Sequence, residues 1–472
     1  MAFSASLMDR FSVAASSMKE ALRVSPWFNR AFSSASIRLA ARKARRGENL
    51  PALKTLFRAW RTARAEGFPV EGKELMWEIV RRTCFEDEQL APIGQNALLK
   101  EFQTSPEAES IRERFRGFPK AEQSRLRLPR SPDSPERQGN LIALKKYDPT
   151  SGERGVLLLK YGESFFWFTA LFDLEAVAKR YTLVLEPCWA GYQDWRFLIF
   201  LGSDLNAVVL SPHPVDFDFI DYLDSNLVPV RLGAGDWVDP DSFTPEKHHS
   251  EHFDLVMVSS WNPLKRHSDF FAALAKLKEE GYRKLRVALV GSPTVWSREK
   301  IESMIDRYDL SDSCTVYENI PHARVAEIVA SSSAFVLASR QEGANKALYE
   351  ALFCDTPVLI YSEHRSVNPD HIGSDVGIRF ASGELDKAIR SVLEAPDRFS
   401  PRKWALEHTG WPVATEQLEA LIRGIEERAD RAWTRSIAAK KNAPHLRYAE
   451  TGKYREFESE YERLHELMVI SS

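Results

Sequence analysis

Hydrophobic and polar positions alternate in one way before residue 156 and in another way after it. In the first part, apolar residues recur at helical spacing in "MDRFSVAASSMKEALR", "ASIRLAARKARR", "LPALKTLFRAWRTARAEG" and "GKELMWEIVRRT", so residues 1 to about 110 read as helices. The stretch "LPRSPDSPERQG" (128–139), rich in Pro, Ser and charge, reads as a linker or loop. From Val156 onward short apolar runs take over. "GVLLLKY", "YTLVLEP" and "NAVVLSP" predict the strands of a first α/β unit. A second unit begins at "FDLVMVSS" (253–260) and continues through "KLRVALVGS", "CTVYENI", "SAFVLAS", "TPVLIYS" and "VGIRF", with helical segments such as "DFFAALAKLKEEG" and "HARVAEIVASSS" between them. Such alternation predicts parallel, doubly wound sheets with ligand sites at the strands' C-terminal ends. The segment "GAGDWVDPDSFTPEKHHSEH" would be the hinge between the units.

The stretch "SRQEGANKALYEALFCDTPVLI" (339–360) concentrates the candidate chemistry. It reads as the end of a strand, a turn at Gly343, a helix and a second strand. Glu342 lies in the turn and Glu350 about two helical turns on. Eight residues of helix separate two carboxylates by on the order of 12 Å, wider than the roughly 5–9.5 Å of a glycosidase acid/base pair. An elongated ligand suits the spacing better. Free N–H groups at Gly343, Ala344 and Asn345 would open the helix and seat a phosphate, with a carboxylate toward each end to accept from sugar hydroxyls. The alternative is two solvated glutamates on an ordinary crossover helix.

Composition narrows the class. The chain has 472 residues, 44% hydrophobic and 28% charged, which fits a soluble globular protein of two or three domains. No apolar run approaches the roughly 20 residues of a membrane-spanning helix, and no signal peptide is visible. Cys84, Cys188, Cys314 and Cys354 are scattered without zinc spacing, which fits a reducing cytoplasm. The net charge of −3 is unevenly spread: residues 1–65 carry 13 Lys/Arg against Asp9, Glu20 and Glu48, a balance of +10. That segment also holds Leu7, Met8, Phe11, Met18, Leu22, Trp27, Phe28 and Phe32, many at helix-compatible spacing. A basic amphipathic helix of this kind lies on an anionic membrane surface; the alternative is a helical subdomain packed on the core or on a second copy of the chain.

Three parts in order, "SSWNPLKRHSDFFAAL", "ENIPHARVAEIVASSSAFVLASRQEGANKALYEAL" and "CDTPVLI", resemble the nucleotide-binding half of a retaining GT-B glycosyltransferase of the group 1 type, also called family 4. The E-x7-E pair at Glu342 and Glu350 is the most diagnostic element, and the first unit resembles the family only weakly. The resemblance implies a GT-B architecture, two doubly wound Rossmann-like domains facing a cleft, here with an N-terminal helical region. The expected divisions are 1–145 (helical, basic extension and linker), 146–245 (acceptor side), 246–425 (nucleotide-sugar side) and 426–472 (a C-terminal helical segment).

The resemblance also implies roles. Glu350 would bind the ribose hydroxyls, Glu342 the transferred sugar, and Lys265 the diphosphate as a point charge. The pattern usually has an arginine about five residues before this lysine, where this chain has Ser260; Arg266 or Arg340 would compensate. His213, directly after "NAVVLSP", would touch the donor sugar, and Gly162 would let backbone approach the phosphates, although the family more often shows a glycine pair there. The base would be read by backbone groups of "YENIPH". The donor would be a UDP- or GDP-linked sugar and the acceptor a glycan or lipid-linked hydroxyl, with no separate cofactor and no nucleic acid. Polysaccharide synthesis at the inner membrane face is the setting this suggests. "DFD" (216–218), "DPD" (239–241) and "HHSEH" (248–252) look like metal ligands, but acidic pairs are common by chance and the last lies in a polar hinge; no essential metal is expected. A GT-B epimerase or phosphorylase and a degenerate non-catalytic scaffold are the rival readings.

Overall fold

The computed structural model describes residues 97–116, 141–187, 195–245, 252–343, 345–364, 367–442 and 446–469, with scattered positions between 35 and 55. Most of the basic segment 1–65, the linker 128–139 and Ala344 therefore lie outside the described residues. The chain divides into two compact units. One comprises Met1–Glu109 with Gln193–Ser203, the other Ser110–Tyr192 with Asp204–Ser472.

In the first unit the described segments are helical, as the periodicity predicts. Helix α1 (Ala97–Gln103) packs on a 3₁₀ segment, Trp195–Phe200, whose Phe197, Leu198, Ile199 and Phe200 are fully buried. Helix α2 (Pro106–Arg116) begins here and ends in the second unit, with glutamates in its first turn and arginines in its last, the arrangement that favours a helix dipole.

Among the described residues the second unit holds two large sheets, each the base of a lobe. The first runs β1 (Leu141–Lys145), β2 (Gly155–Lys160), β3 (Tyr181–Glu186), β4 (Ala207–Leu210), β5 (Leu227–Val230), in that spatial order. Strands β2 to β5 are parallel and β1 is antiparallel to β2. Every residue of β2 and β3 is buried, the mark of a parallel sheet covered on both faces. Helices α3 (Gly162–Leu171) and α4 (Leu174–Arg180) join β2 to β3, and α5 (Pro214–Tyr222) joins β4 to β5. Strand β1 sets the start of this sheet ahead of the expected division at residue 146. Its described strands lie in chain order, without the reversal of a doubly wound sheet.

The second sheet is all parallel: β6 (Phe253–Val258), β7 (Val287–Gly291), β8 (Cys314–Glu318), β9 (Ser332–Leu337), β10 (Val358–Tyr361) and β11 (Gly377–Phe380). Their spatial order is β8-β7-β6-β9-β10-β11, the doubly wound order with its reversal between β6 and β9. Alternating residues send Leu255 and Met257 to one face and Val256 to the other. One face packs on α6 (His267–Glu279), α7 (Arg298–Arg307) and α10 (Leu385–Glu394). The other packs on α8 (His322–Ala330), α9 (Lys346–Phe353) and α11 (Pro401–His408). The α/β architecture expected from the strand–helix alternation is the one found.

After α12 (Trp411–Arg428) the chain makes a short hairpin, β12 (Lys440–Lys441) with β13 (Arg447–Tyr448), and a last helix, α13 (Lys453–Glu466). The C-terminal segment is thus not helical throughout. It returns to the first sheet, where Tyr461 accepts the Ala143 amide through its hydroxyl at 3.1 Å and Glu460 takes the Tyr181 hydroxyl at 2.5 Å. Within this unit the first sheet with its helices forms a first lobe and the second sheet with its helices a second lobe, and the joint between them is packed. A 3₁₀ turn at Ala234–Trp237 is buried, and a Cβ at Gly235 would lie 2.4 Å from the ring of Tyr349, so glycine is what lets the turn seat on α9.

Candidate functional site

The turn after β6 is shaped by Asn262. Its Oδ1 accepts the Leu264 amide at 3.0 Å and its Nδ2 donates to Ser260 Oγ at 3.0 Å. A 3₁₀ turn, Pro263–Lys265, then hands over to α6 through Arg266 in the left-handed region at φ 55°. Lys265 ends that turn, and its ammonium is bound to the carboxylate of Glu342, which arrives on the loop after β9. The lysine side chain is 19% exposed and the glutamate 8%. These two loops leave the neighbouring strands at which the winding reverses, where adjacent loops turn to opposite faces and open a crevice. Glu342 stands ahead of the helix, so the axial spacing expected for an uninterrupted helix applies to only part of the Glu342–Glu350 path.

His267, directly behind this turn, is buried. Its Nε2 lies 3.3 Å from Ser259 Oγ, and its ring meets Trp296 edge-on at 5.9 Å. Burial, with Lys265 nearby, pushes its pKa down to about 4, so the ring is neutral.

Helix α9 starts at Lys346, later than the expected phosphate seat at 343–345. Asn345 is its N-cap and accepts the Leu348 amide at 2.9 Å, which removes one of the open donors. Glu350 is buried within the helix, and its Oε1 lies 3.2 Å from Nε2 of His322, the first residue of α8. The His322 ring in turn meets Phe243 edge-on at 5.2 Å. This histidine side chain was not anticipated, although it closes the "YENIPH" stretch read as the base-reading loop.

In the first lobe, His213 stands at the C-terminal end of β4 and caps α5, with Nδ1 accepting the Val215 amide at 3.3 Å. Accepting at Nδ1 leaves Nε2 to carry the proton of the neutral ring. Gly162 is the first residue of α3, buried, and follows Tyr161 at φ 71°, ψ 139°, a conformation rare outside glycine. A narrow space of about 20 Å³ between the lobes is lined by Glu186, Leu210, Pro212, Gly343, Asn345 and Tyr349 among others. Pro212 and Gly343 are the chain neighbours of His213 and Glu342, so these candidates flank one space. Beside it Arg231 spans the lobes, donating to Pro212 O at 3.0 Å, Asn368 Oδ1 at 2.6 Å and Asp370 Oδ2 at 2.8 Å. Nothing in the chain's patterning singled out that arginine.

Arg266 and Arg340 go elsewhere. Arg266 is held by Asp269 at 2.5 and 2.6 Å. Arg340 donates to Ser382 Oγ at 2.9 Å and lies over the Tyr361 ring at 5.0 Å. Both line a separate groove. Among the metal look-alikes, Asp239 is taken by Lys441 at 2.8 Å, and Asp216 is buried on α5. Most of "HHSEH" lies outside the described residues.

Residues 239–405, roughly a third of the chain, match the family model described as glycosyl transferases group 1. The match contains all six strands of the second sheet and Lys265, Glu342 and Glu350. Similar solved structures include sucrose-phosphate synthase from Thermosynechococcus elongatus, at 18% identity, covering 58% of this chain and 74% of that one with a TM-score of 0.46. They include Anabaena HepE in complex with UDP and glucose, at 12% identity, covering 57% and 78% with a TM-score of 0.45. The lipopolysaccharide outer core galactosyltransferase WaaB is similar at 13% identity, covering 57% and 75% with a TM-score of 0.44. No curated protein sequence matches the chain.

Proposed function

We propose that this chain is a glycosyltransferase that moves a sugar from a UDP- or GDP-linked donor to an acceptor hydroxyl with retention of anomeric configuration. The observation that carries the reading is the Lys265–Glu342 pair on the two loops that flank the winding reversal, inside the segment matched by the group 1 model. Opposite charges held together in this way can exchange partners for a ligand that carries both kinds of group. Lys265 turns to the diphosphate, and Glu342, released, accepts from hydroxyls of the transferred sugar. Glu350 likewise exchanges His322 for the ribose hydroxyls, and Nε2–H of His213 donates to the sugar from the opposite lobe.

In the reaction the bond between the anomeric carbon and the diphosphate oxygen breaks with its electron pair going to the diphosphate. The acceptor oxygen bonds to that carbon on the same face, and its proton passes to the departing phosphate oxygen. The protein's part is electrostatic: Lys265 stabilises the charge growing on the diphosphate, in a crevice that shields it from water. The test is a thermal-shift series with UDP, GDP and their sugar conjugates, followed by product analysis with the conjugate that binds. Stabilisation by one nucleoside diphosphate and a transferred sugar of unchanged anomeric configuration are expected. No shift with any of them would overturn the reading.

The acceptor we infer is a glycan or lipid-linked hydroxyl, with residues 1–65 resting on an anionic bilayer. Among the described residues no helix is long and apolar enough to cross a membrane. Sedimentation with anionic vesicles at low salt, release at high salt and loss on deleting residues 1–65 are expected. Equal partitioning of the full and truncated chains would refute the contact.

A further inference from the structure

The groove that receives Arg266 and Arg340 lies at the C-terminal ends of β9, β10 and β11, between the length of α6 and the N-terminal end of α10. We propose that it is a subsite for an anionic saccharide, with Arg340 as its anchor. In the glycosyltransferase reading, on which this rests, the occupant is a carboxylate- or phosphate-bearing unit of the acceptor chain.

Three features point to such a ligand. The first is charge. The lining carries Arg266, Lys276 and Arg340 against Asp269 and Asp386. Arg266 is neutralised by Asp269, and Lys276 by Asp386 at 2.6 Å. No carboxylate among the described residues pairs with Arg340, whose one hydrogen bond goes to Ser382. Its guanidinium lies over the Tyr361 ring at 5.0 Å, so a planar fork with most of its N–H donors unused is already positioned there.

The second feature is shape. Ala272, Ala273 and Ala338 provide small apolar lining, and the open groove offers about 360 Å³, within the size range of ligand sites. Gly383, at φ 80° with open space where a Cβ would stand, keeps the approach to α10 clear. The third is position. Arg340 is two residues from Glu342, so their backbones are at most about 7 Å apart. A chain anchored at Arg340 would therefore present a hydroxyl close to the sugar held at Glu342.

The experiment is calorimetric titration at low salt of the full chain and its Arg340→Ala and Arg340→Lys variants. The probes are trigalacturonate, glucose 1-phosphate, neutral maltotriose, UDP and GDP. Binding of trigalacturonate or glucose 1-phosphate is expected, and whichever binds tells a carboxylate site from a phosphate site. Arg340→Ala should weaken it about tenfold or more, on the scale of one charge-assisted contact. Arg340→Lys should restore only part, since it keeps the charge and loses the fork. Maltotriose should bind more weakly and be indifferent to both variants. Failure of both anionic probes to bind, or equal binding by wild type and Arg340→Ala, would overturn the proposal. An equal loss of nucleoside diphosphate affinity in Arg340→Ala would overturn it too, by returning that arginine to the diphosphate. If the anionic probe binds through Arg340 while neither UDP nor GDP binds, the groove stands and the donor reading falls.

Discussion

The two lobes are built from the same alternation of strand and helix, yet they treat charge at their strand ends in opposite ways. In the second lobe the strands wind outward in two directions from β6 and β9, and Lys265 and Glu342 meet where the loops diverge. In the first lobe the described strands follow chain order, and the charges at their ends are closed off by the chain itself. Lys160 at the end of β2 lies 3.3 Å from Glu186 at the end of β3, and Glu186 also takes Lys440 at 2.7 Å and Asn442 at 3.2 Å. Lys440 is fully buried against the Trp237 ring, whereas Lys265 reaches solvent. A lysine–glutamate pair at strand ends is therefore not a binding site by composition alone. Winding and access decide whether the pair can let go of itself.

The comparison breaks most sharply at the two lysines. Lys440→Met leaves Glu186 buried without one of the two lysines that pair with it among the described residues, and removing one member of a buried pair costs about 3–5 kcal/mol. Denaturant midpoints should fall accordingly. A loss below about 1 kcal/mol would mean that Glu186 is satisfied without it. Lys265→Ala should do the reverse. Its stability loss should be well below that of Lys440→Met, while turnover falls by about 10²–10³-fold, the scale of one electrostatic contact to a developing charge. Near wild-type turnover would place another cation on the diphosphate.

The second lobe was the more legible one, and for a physical reason. Its strands are long apolar runs flanked by turn residues, and its functional carboxylates sit in a local motif. β1 escaped notice because "LIALK" is short, ends in lysine and follows the Pro/Ser-rich linker. β5 escaped because "LVPV" carries a proline that ordinarily argues against a strand. The partners of the site residues were not readable at all. His322 and Glu350 are 28 positions apart, and Lys440 and Glu186 are 254 apart; only the folded chain pairs them. The two arginines nearest the motif were expected at the phosphates and lie in the neighbouring groove. The left-handed turn at Arg266 swings its side chain to Asp269, and strand-like alternation after β9 places Ala338 and Arg340 on the groove side.

A smaller effect sharpens the picture inside the second lobe. Glu350→Gln keeps the shape of the side chain and removes its charge, so the nucleoside diphosphate should bind about tenfold more weakly through loss of one charge-assisted hydrogen bond. An unchanged dissociation constant would take Glu350 out of the site and leave it as the partner of His322.

The gentlest probe separates the lobes by acid. His267 in the second lobe is held neutral, its pKa pushed down from 6.5 to about 4 by burial and secondarily by Lys265; its ring faces Ser259, Trp296 and Phe271. Because the unfolded chain takes up the proton first, folding stability falls as pH drops from about 6.5 toward 4, by roughly 1 kcal/mol per pH unit. Glu153 in the first lobe behaves differently. Burial alone would raise its pKa, but the Lys145 ammonium at 2.7 Å and hydrogen bonds from Thr434 outweigh that and hold it down to about 2. Its contribution is intact above about pH 4.5 and is lost only as pH falls toward 2, because the depressed folded value lets the unfolded chain protonate first there as well. His267→Gln should therefore flatten the stability profile between pH 6.5 and 4 and leave the more acidic limb in place, while Glu153→Gln should flatten the acidic limb alone. Denaturant unfolding across pH 2–7 reads both limbs. If His267→Gln leaves the upper limb as steep as in the wild type, the ring behind Lys265 is not the neutral prop that its burial makes it.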